Sequence, residues 1–250
     1  MDAVSEPMLS LRKGRYLARI ATSDADRVAA QRLRALAFRA SVGIDDDPHD
    51  AACTHVLVED EHDGTLVCCC RLLPLGSGAQ IAESYSAQFY DLRALLDFSG
   101  PMLEMGRFCI HPARTDADIL RVAWGALTGY VDAHGVEMLF GCASFPGTDT
   151  RLYHDAFALL RDRHLAPEHW RPRIKAPSVF RYAAELRQPP DLKAAQASMP
   201  SLLRTYLLMG GWVSDHAVID DQMGTLHVFT GLEIRAVPPT RARLLRSVAG

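Results

Sequence analysis

The chain has 250 residues, of which 48% are hydrophobic, with a formal net charge of -3 and a pI near 6.4. That composition can bury a full core, and the near-balanced charge offers no general attraction for nucleic acid. The longest apolar region, 122–143, is interrupted by Asp132, His134 and Glu137, so no window reaches the roughly 18 to 20 uncharged apolar residues of a spanning helix.

The first residues, M-D-A-V-S-E-P, lack the basic and apolar parts of a secretory signal, which leads to the expectation of a cytoplasmic protein. Among six cysteines, Cys68, Cys69 and Cys70 are consecutive and no C-x-x-C occurs. This favours buried thiols on both faces of a strand over a disulfide framework or structural zinc. No H-E-x-x-H pair is present among the ten histidines, and no metal site is expected.

In chain order, 15–21 alternates polar and apolar residues and reads as a strand. Ser23 and Asp26 resemble a capping box, and Leu33, Leu36, Ala37 and Ala40 recur at helical spacing up to Gly43, the expected C' residue. Asp45, Asp46, Asp47, His49 and Asp50 follow in an aperiodic loop around Pro48. Strands are expected over 54–59 and 65–73, joined at Asp63-Gly64. A short helix is expected over 92–98.

The central unit is a strand from Leu103, a helix opened by Asp116 and closed by Gly135, and a strand M-L-F-G-C-A-S-F. A strand-helix-strand connection of this length implies a right-handed crossover between parallel strands. The remaining expectations are a helix over 151–163, a strand over 179–186, a linker over 188–197, a helix over 202–209 and a final hairpin of 212–219 with 225–234. The order of elements specifies an α+β class, a mixed sheet with helices on both faces.

Glu104 and Arg107 lie within the central strand, where a charge is costly without a partner or a task. Three residues apart, they point to opposite faces of a regular strand, so a mutual pair requires a bulge and the alternative is separate partners. The acidic loop is either a solvated turn or a site for a cationic substrate, and Arg71, ending the strand over 65–73, can pair with that loop or with a substrate carboxylate.

The sequence D-G-T-L-V-C-C-C-R-L-L-P followed by L-E-M-G-R-F resembles the acyl-homoserine-lactone synthase branch of the GNAT acyltransferase superfamily, whose third strand ends R-L-L-P and whose fourth carries E-x-x-R-F. Over longer blocks, G-R-Y-L-A-R-I-A, L-E-M-G-R-F-C-I-H-P, D-I-L-R-V-A-W-G-A-L, L-F-G-C-A-S-F and L-L-R-T-Y-L-L-M-G-G-W-V-S-D-H-A, the chain looks more like the bacterial L-ornithine Nα-acyltransferases. The resemblance implies a GNAT-like core over 1–187 and a helix-hairpin extension over 188–250. It implies transfer of a 3-hydroxyacyl group from an acyl carrier protein to the α-amine of L-ornithine, giving lyso-ornithine lipid. Coenzyme A-dependent members follow the central strand with Gln/Arg-x-x-Gly-x-Gly/Ala, whereas this chain has His111-Pro-Ala-Arg-Thr-Asp116 without glycine. Asp116 caps a helix well but disfavours a pyrophosphate beside it, which suits a carrier-bound 4'-phosphopantetheine thioester as co-substrate and no separate cofactor.

Under that resemblance Glu104 is the expected base and Tyr153 the proton source for the leaving thiolate. Asp45, Asp46, Asp47, Asp50, Arg71, Arg107 and Ser144 are the expected substrate contacts, and Phe108, Cys109, Ile110, Arg114 and Arg121 the expected donor contacts. The basic residues of 161–181 are candidates for docking the acidic carrier protein. Arg235, Arg241, Arg243 and Arg246 are candidates for peripheral contact with an anionic inner-membrane surface. Three alternatives stand beside this reading: a lactone synthase, a glycerophospholipid acyltransferase with His111-x4-Asp116 as its dyad, and a non-catalytic acyl-carrier or lipid-binding module.

Overall fold

The computed structural model describes residues 10–249. The strands are β1 Ser10–Lys13, β2 Tyr16–Ile20, β3 Thr54–Asp60, β4 Thr65–Leu75, β5 Tyr90–Asp91, β6 Met102–Ile110, β7 Met138–Pro146, β8 Arg173–Ile174, β9 Val179–Phe180, β10 Trp212–Val213, β11 Ala217–Asp220 and β12 Thr225–Glu233. The helices are α1 Asp24–Arg39, α2 Ala117–Ala133, α3 His154–Arg163, α4 Tyr182–Glu185, α5 Leu192–Ser198, α6 Ser201–Leu208 and α7 Pro239–Ala249. The chain divides into two compact units: Met1–Leu73 with Met105–Val136 and Pro239–Gly250, and Pro74–Glu104 with Glu137–Pro238. The expected extension over 188–250 is shared between them, its last helix belonging to the first unit and the rest to the second.

In the first unit the strand order is β1-β2-β3-β4-β6, with β1, β2, β3 and β4 successively antiparallel. Strand alternation sends consecutive residues to opposite faces. Leu57, Cys69 and Cys109 therefore pack with Ala30 and Leu33 of α1, while Val56, Val58, Cys68 and Cys70 are buried on the reverse face. Helix α2 packs against β1, β2 and β3. The consecutive cysteines are thus buried thiols on both faces, as their spacing implies.

In the second unit the order is β6-β7-β12-β11-β9. Strand β6 pairs parallel to β7 from Met102↔Met138 to Glu104↔Phe140, the expected crossover geometry. One face of β7 and β12 carries Ala143, Phe145, Leu226 and Val228 into a core with α3, α5 and α6. The reverse face carries Phe140, Cys142, Ser144, His227 and Phe229, and it is this face that Glu104 joins.

Several local expectations are corrected. Helix α1 ends at Arg39, with Ala40 rather than Gly43 in the left-handed region, φ 48°. The early stop returns the chain so that the Asp45 N–H reaches the Gln31 carbonyl at 3.1 Å. Residues 92–98 hold only a 3-10 turn, Arg93–Leu95. The strand expected over 179–186 ends at Phe180, because Tyr182 turns inward to hydrogen-bond the Ser214 carbonyl. The expected linker contains α5, whose first amides, Lys193 and Ala194, are capped by Asp191. The segment 212–219 breaks into β10 and β11, both paired with β12. Strand β1 and helix α7 were not anticipated, and α7 packs on α2.

Trp212 lies flat across Gly231, where an added Cβ would come within 2.4 Å of the indole ring. Gly231→Ala is therefore expected to displace Trp212 from its stack on Phe229 and to destabilise the fold by about 1–3 kcal/mol, the usual scale of overpacking. Thermal unfolding of the variant measures this directly.

Candidate active site

The aperiodic loop after α1 is organised by a buried arginine. Arg34 lies on the same side of α1 as Ala30, Leu33 and Ala37, and its side chain is 1% exposed. Its guanidinium grips Asp50 bidentately at 2.8 and 2.7 Å, donates to Asp45 Oδ2 at 2.9 Å and also reaches the Asp45 carbonyl. Fork-to-fork pairing of this kind is strong and directional. Arg71 of β4 donates to Asp50 Oδ1 at 2.9 Å and lies 3.1 Å from Asp47 Oδ1. Arg107 of β6 donates to Asp47 Oδ2 at 2.6 Å and lies 3.3 Å from Asp45 Oδ2.

Arg107 adopts φ 52°, a left-handed conformation rare for a residue with a side chain. That break in the pleat of β6 is a cost of order 1–3 kcal/mol which the surrounding ion pairs must offset. Gly106, just before it, lets the Arg71 side chain pass 3.4 Å from where a Cβ would sit. His55 of β3 completes the enclosure with Nε2 3.0 Å from the Asp50 carbonyl.

Arg39, itself half exposed, adds a contact to Asp45 Oδ1 at 3.1 Å, so four arginines face three aspartates, and Asp45, Asp47 and Asp50 carry no excess negative charge. Asp46 differs. It is exposed, and it accepts from the Gln31 side-chain amide at 3.2 Å. Burial opposes ionisation of Asp47, but Arg71, the His49 amide and Arg107 together hold its carboxyl down at about 2. Asp50 is likewise held well below the ordinary carboxylate range, against burial, by Arg34, Gln31 and Arg71.

Glu104 has a different environment in the second unit. It is 4% exposed, and its carboxylate takes the Ser86 N–H at 2.8 Å and the Ser86 hydroxyl at 2.5 Å on Oε1, and the Tyr85 N–H at 2.8 Å on Oε2. A carboxylate has about four acceptor sites. Three donors leave room on Oε2 for one more. Ser86 Oγ also lies 3.4 Å from Cys142 Sγ on β7. Glu104 and Arg107 therefore have separate partners, and the chain between them leaves regular strand geometry as well.

The other expected residues are distributed as follows. Ser144 is exposed on β7, opposite His227 in register. Tyr153 packs on Phe145 and donates its hydroxyl to the Pro146 carbonyl at 2.6 Å, and burial raises its pKa. Cys109 turns into the core with Sγ 3.6 Å from Cys69 Sγ, so it can meet a donor only through its backbone, whereas Phe108 and Ile110 stay half-buried. Arg114 is engaged by Asp63 at 2.5 Å, and Arg121 by Asp118 at 2.5 Å.

In the basic stretch, Arg161 binds the Leu186 and Gln188 carbonyls and Lys175 the Ala87 carbonyl, while Arg163, Arg173 and Arg181 are exposed. Arg235 pairs with Glu233 and Arg246 with Asp132, while Arg241, Arg243 and Arg246 of α7 are all exposed. The proposed His111–Asp116 dyad is not assembled. Asp116 accepts from the Asp118 N–H and the Tyr16 hydroxyl, and His111 Nδ1 from the Ala113 N–H.

Sequence reasoning passed over Arg34, Ser86, Tyr90 and His227. For Arg34 a signal was present, a charge embedded in the apolar i, i+3, i+7 stripe of a helix. Ser86 and Tyr90 sit in a stretch whose local sequence shows no period, and His227, within the expected strand over 225–234, has partners that no local pattern indicates.

Residues 29–125 match the acetyltransferase (GNAT) domain. The chain is 33% identical over 238 residues to the L-ornithine N(alpha)-acyltransferase of Rhodobacter capsulatus, covering 89% of this chain and 91% of the relative. The Brucella abortus enzyme of the same name is 31% identical over 90% of this chain and 87% of its own length. That of Rhizobium meliloti is 29% identical over 76% and 67%.

Two outcomes are expected of the charge network. Arg34→Met leaves Asp45 and Asp50 without their main buried partner and should destabilise the protein by about 3–5 kcal/mol in denaturant titration. Because Asp47 and Asp50 have depressed pKa values, the stability they contribute is complete above the ordinary carboxylate pKa of about 3.9 and is lost as pH falls from there towards 2 and below. Asp47→Asn should flatten that acid-side loss in a pH series of denaturation midpoints.

Proposed function

The chain belongs to the L-ornithine N(alpha)-acyltransferase family, and we propose that it transfers a 3-hydroxyacyl group from an acyl carrier protein thioester to the α-amine of L-ornithine. The buried, donor-held Glu104 carboxylate is the observation that carries the mechanism. Attack on a thioester needs an uncharged amine, a fixed acceptor for its proton and a proton for the departing thiolate. With one acceptor position open, Glu104 takes the ammonium proton directly or through one water. The amine nitrogen then bonds to the thioester carbon, the carbon-sulfur bond breaks, the nitrogen gives up its second proton to solvent, and the pantetheine thiolate is protonated.

Tyr153 can supply that last proton only by releasing the Pro146 carbonyl, so it acts late in the sequence or yields the role to solvent. Direct transfer needs no acyl-enzyme, in keeping with the burial of Cys109 against Cys69 and the contact of Cys142 with Ser86. Arg114 and Arg121 remain the proposed contacts for the single phosphate of the carrier arm, which would compete with Asp63 and Asp118. The exposed Arg163, Arg173 and Arg181 are the proposed carrier-docking residues.

The decisive assay mixes the purified protein with 3-hydroxyacyl carrier protein and ornithine and seeks N-acylornithine by mass spectrometry. An intact thioester and no product would overturn the assignment. Glu104→Gln should lower kcat by about 10² to 10⁴-fold, the scale of general-base loss, and wild-type turnover would reduce Glu104 to a structural role. Within the acidic loop, Asp46 is proposed to meet the side-chain ammonium of ornithine. Asp46→Asn should raise the ornithine KM roughly two- to fivefold, as suits an exposed ion pair, without changing the carrier protein KM.

A further inference from the structure

The turn that holds Glu104 must itself be held. Its two amide donors, Tyr85 and Ser86, belong to a 3-10 turn that runs directly into Phe89 and Tyr90. Both of those side chains land on one residue of β12. The Phe89 ring meets the His227 imidazole edge-on, with centroids 4.9 Å apart, and the Tyr90 hydroxyl lies 2.8 Å from the His227 carbonyl and 3.1 Å from His227 Nδ1.

A tyrosine hydroxyl has one proton and a carbonyl oxygen can only accept, so that proton is directed at the His227 carbonyl. The contact with Nδ1 is then one in which imidazole N–H donates to the tyrosine oxygen. This assigns the Nδ1–H tautomer and leaves Nε2 as a bare lone pair. Nε2 is buried and has no hydrogen-bond partner among the described residues, in a side chain 2% exposed. An unmatched buried acceptor is a cost that ordinary packing would remove by substitution with an apolar ring. Sealed from solvent, this nitrogen is poorly placed to act on a substrate. Burial also keeps the ring neutral, lowering its pKa to about 4.

We propose that His227 is a positioning residue for acyl transfer, fixing through Tyr90 and Phe89 the turn whose Tyr85 and Ser86 amides orient the Glu104 carboxylate. This rests on Glu104 as the base. His227 acts on the reaction only through that carboxylate, by setting where its open acceptor position points.

The test uses the full chain with Tyr90→Phe, which removes one oxygen, His227→Phe, and His227→Asn, whose side-chain N–H can replace Nδ1–H. Hydrogen exchange at the Tyr85 and Ser86 amides should quicken about tenfold or more in the two Phe variants, as local opening becomes easier, and stay near wild type in His227→Asn. Turnover should fall about ten- to hundredfold in the Phe variants, the scale of a misplaced catalytic group, with the ornithine KM within about twofold. In a Glu104→Gln background, adding Tyr90→Phe should change kcat by less than about twofold, because the two changes share one route. Nitrogen NMR of the wild type should show the Nδ1–H tautomer of His227.

Unchanged exchange at Tyr85 and Ser86, multiplicative losses in the double variant, or an Nε2–H tautomer would each overturn the role of His227. If His227→Phe fails to fold, Tyr90→Phe carries the same comparison. A wild-type protein that makes no N-acylornithine would instead overturn the assignment of the reaction, since the exchange and tautomer measurements do not depend on it.

Discussion

Burial of the Arg34 guanidinium is the constraint on which the first unit depends. A buried cation must be matched, and Arg34 is matched by Asp45 and Asp50 from a loop with no secondary structure of its own beyond a 3-10 turn. Those aspartates then require Arg71 and Arg107, which brings β4 and β6 into the same arrangement and forces Arg107 into its left-handed conformation. One buried charge in a helix thereby dictates where that helix ends, how the following loop runs and where β6 departs from a regular strand.

Strand β6 presents two solutions to the problem of burying charge. At Arg107 the charge is neutralised by opposite charge, and little capacity is left for a ligand. At Glu104 the charge is held by backbone amides and one hydroxyl, which supply dipoles without cancelling the carboxylate. An ion-pair network gives rigidity. An amide-held carboxylate keeps an acceptor position for a proton in transit, which is why the chemistry is proposed for Glu104 rather than for the ion-paired Arg107. The conformational break between them allows one strand to serve both ends.

The anchoring of Glu104 extends the same logic outward. Its donors come from a turn, and a turn is only as fixed as its own attachments. Phe89 and Tyr90 meet His227, a residue nearly 140 positions further along the chain. The orientation of the Glu104 carboxylate, the proposed base, is therefore a property of the β12 pairing as much as of β6.

Everything with a local period or a local cap could be read from the sequence: helices α1, α2 and α3, strands β2, β3, β4, β6 and β7, the parallel crossover, and the placing of Glu104 and Arg107 inside one strand. Even Arg71 and the acidic loop were legible as complementary charges. The elements that escaped notice, β1, β5, β8, α4, α5 and α7, are short or polar and owe their existence to what they pack upon. Only the tertiary structure decided the partners. It placed Asp45, Asp47 and Asp50 against arginines, left Asp46 exposed, gave Glu104 to Ser86 and Tyr85, and set His227 beneath Tyr90. The physical reason is range: helix and strand periods are set by interactions within a few residues, whereas a buried charge or imidazole is satisfied by whichever group the folded chain brings within about 3 Å, and no local pattern records that distance.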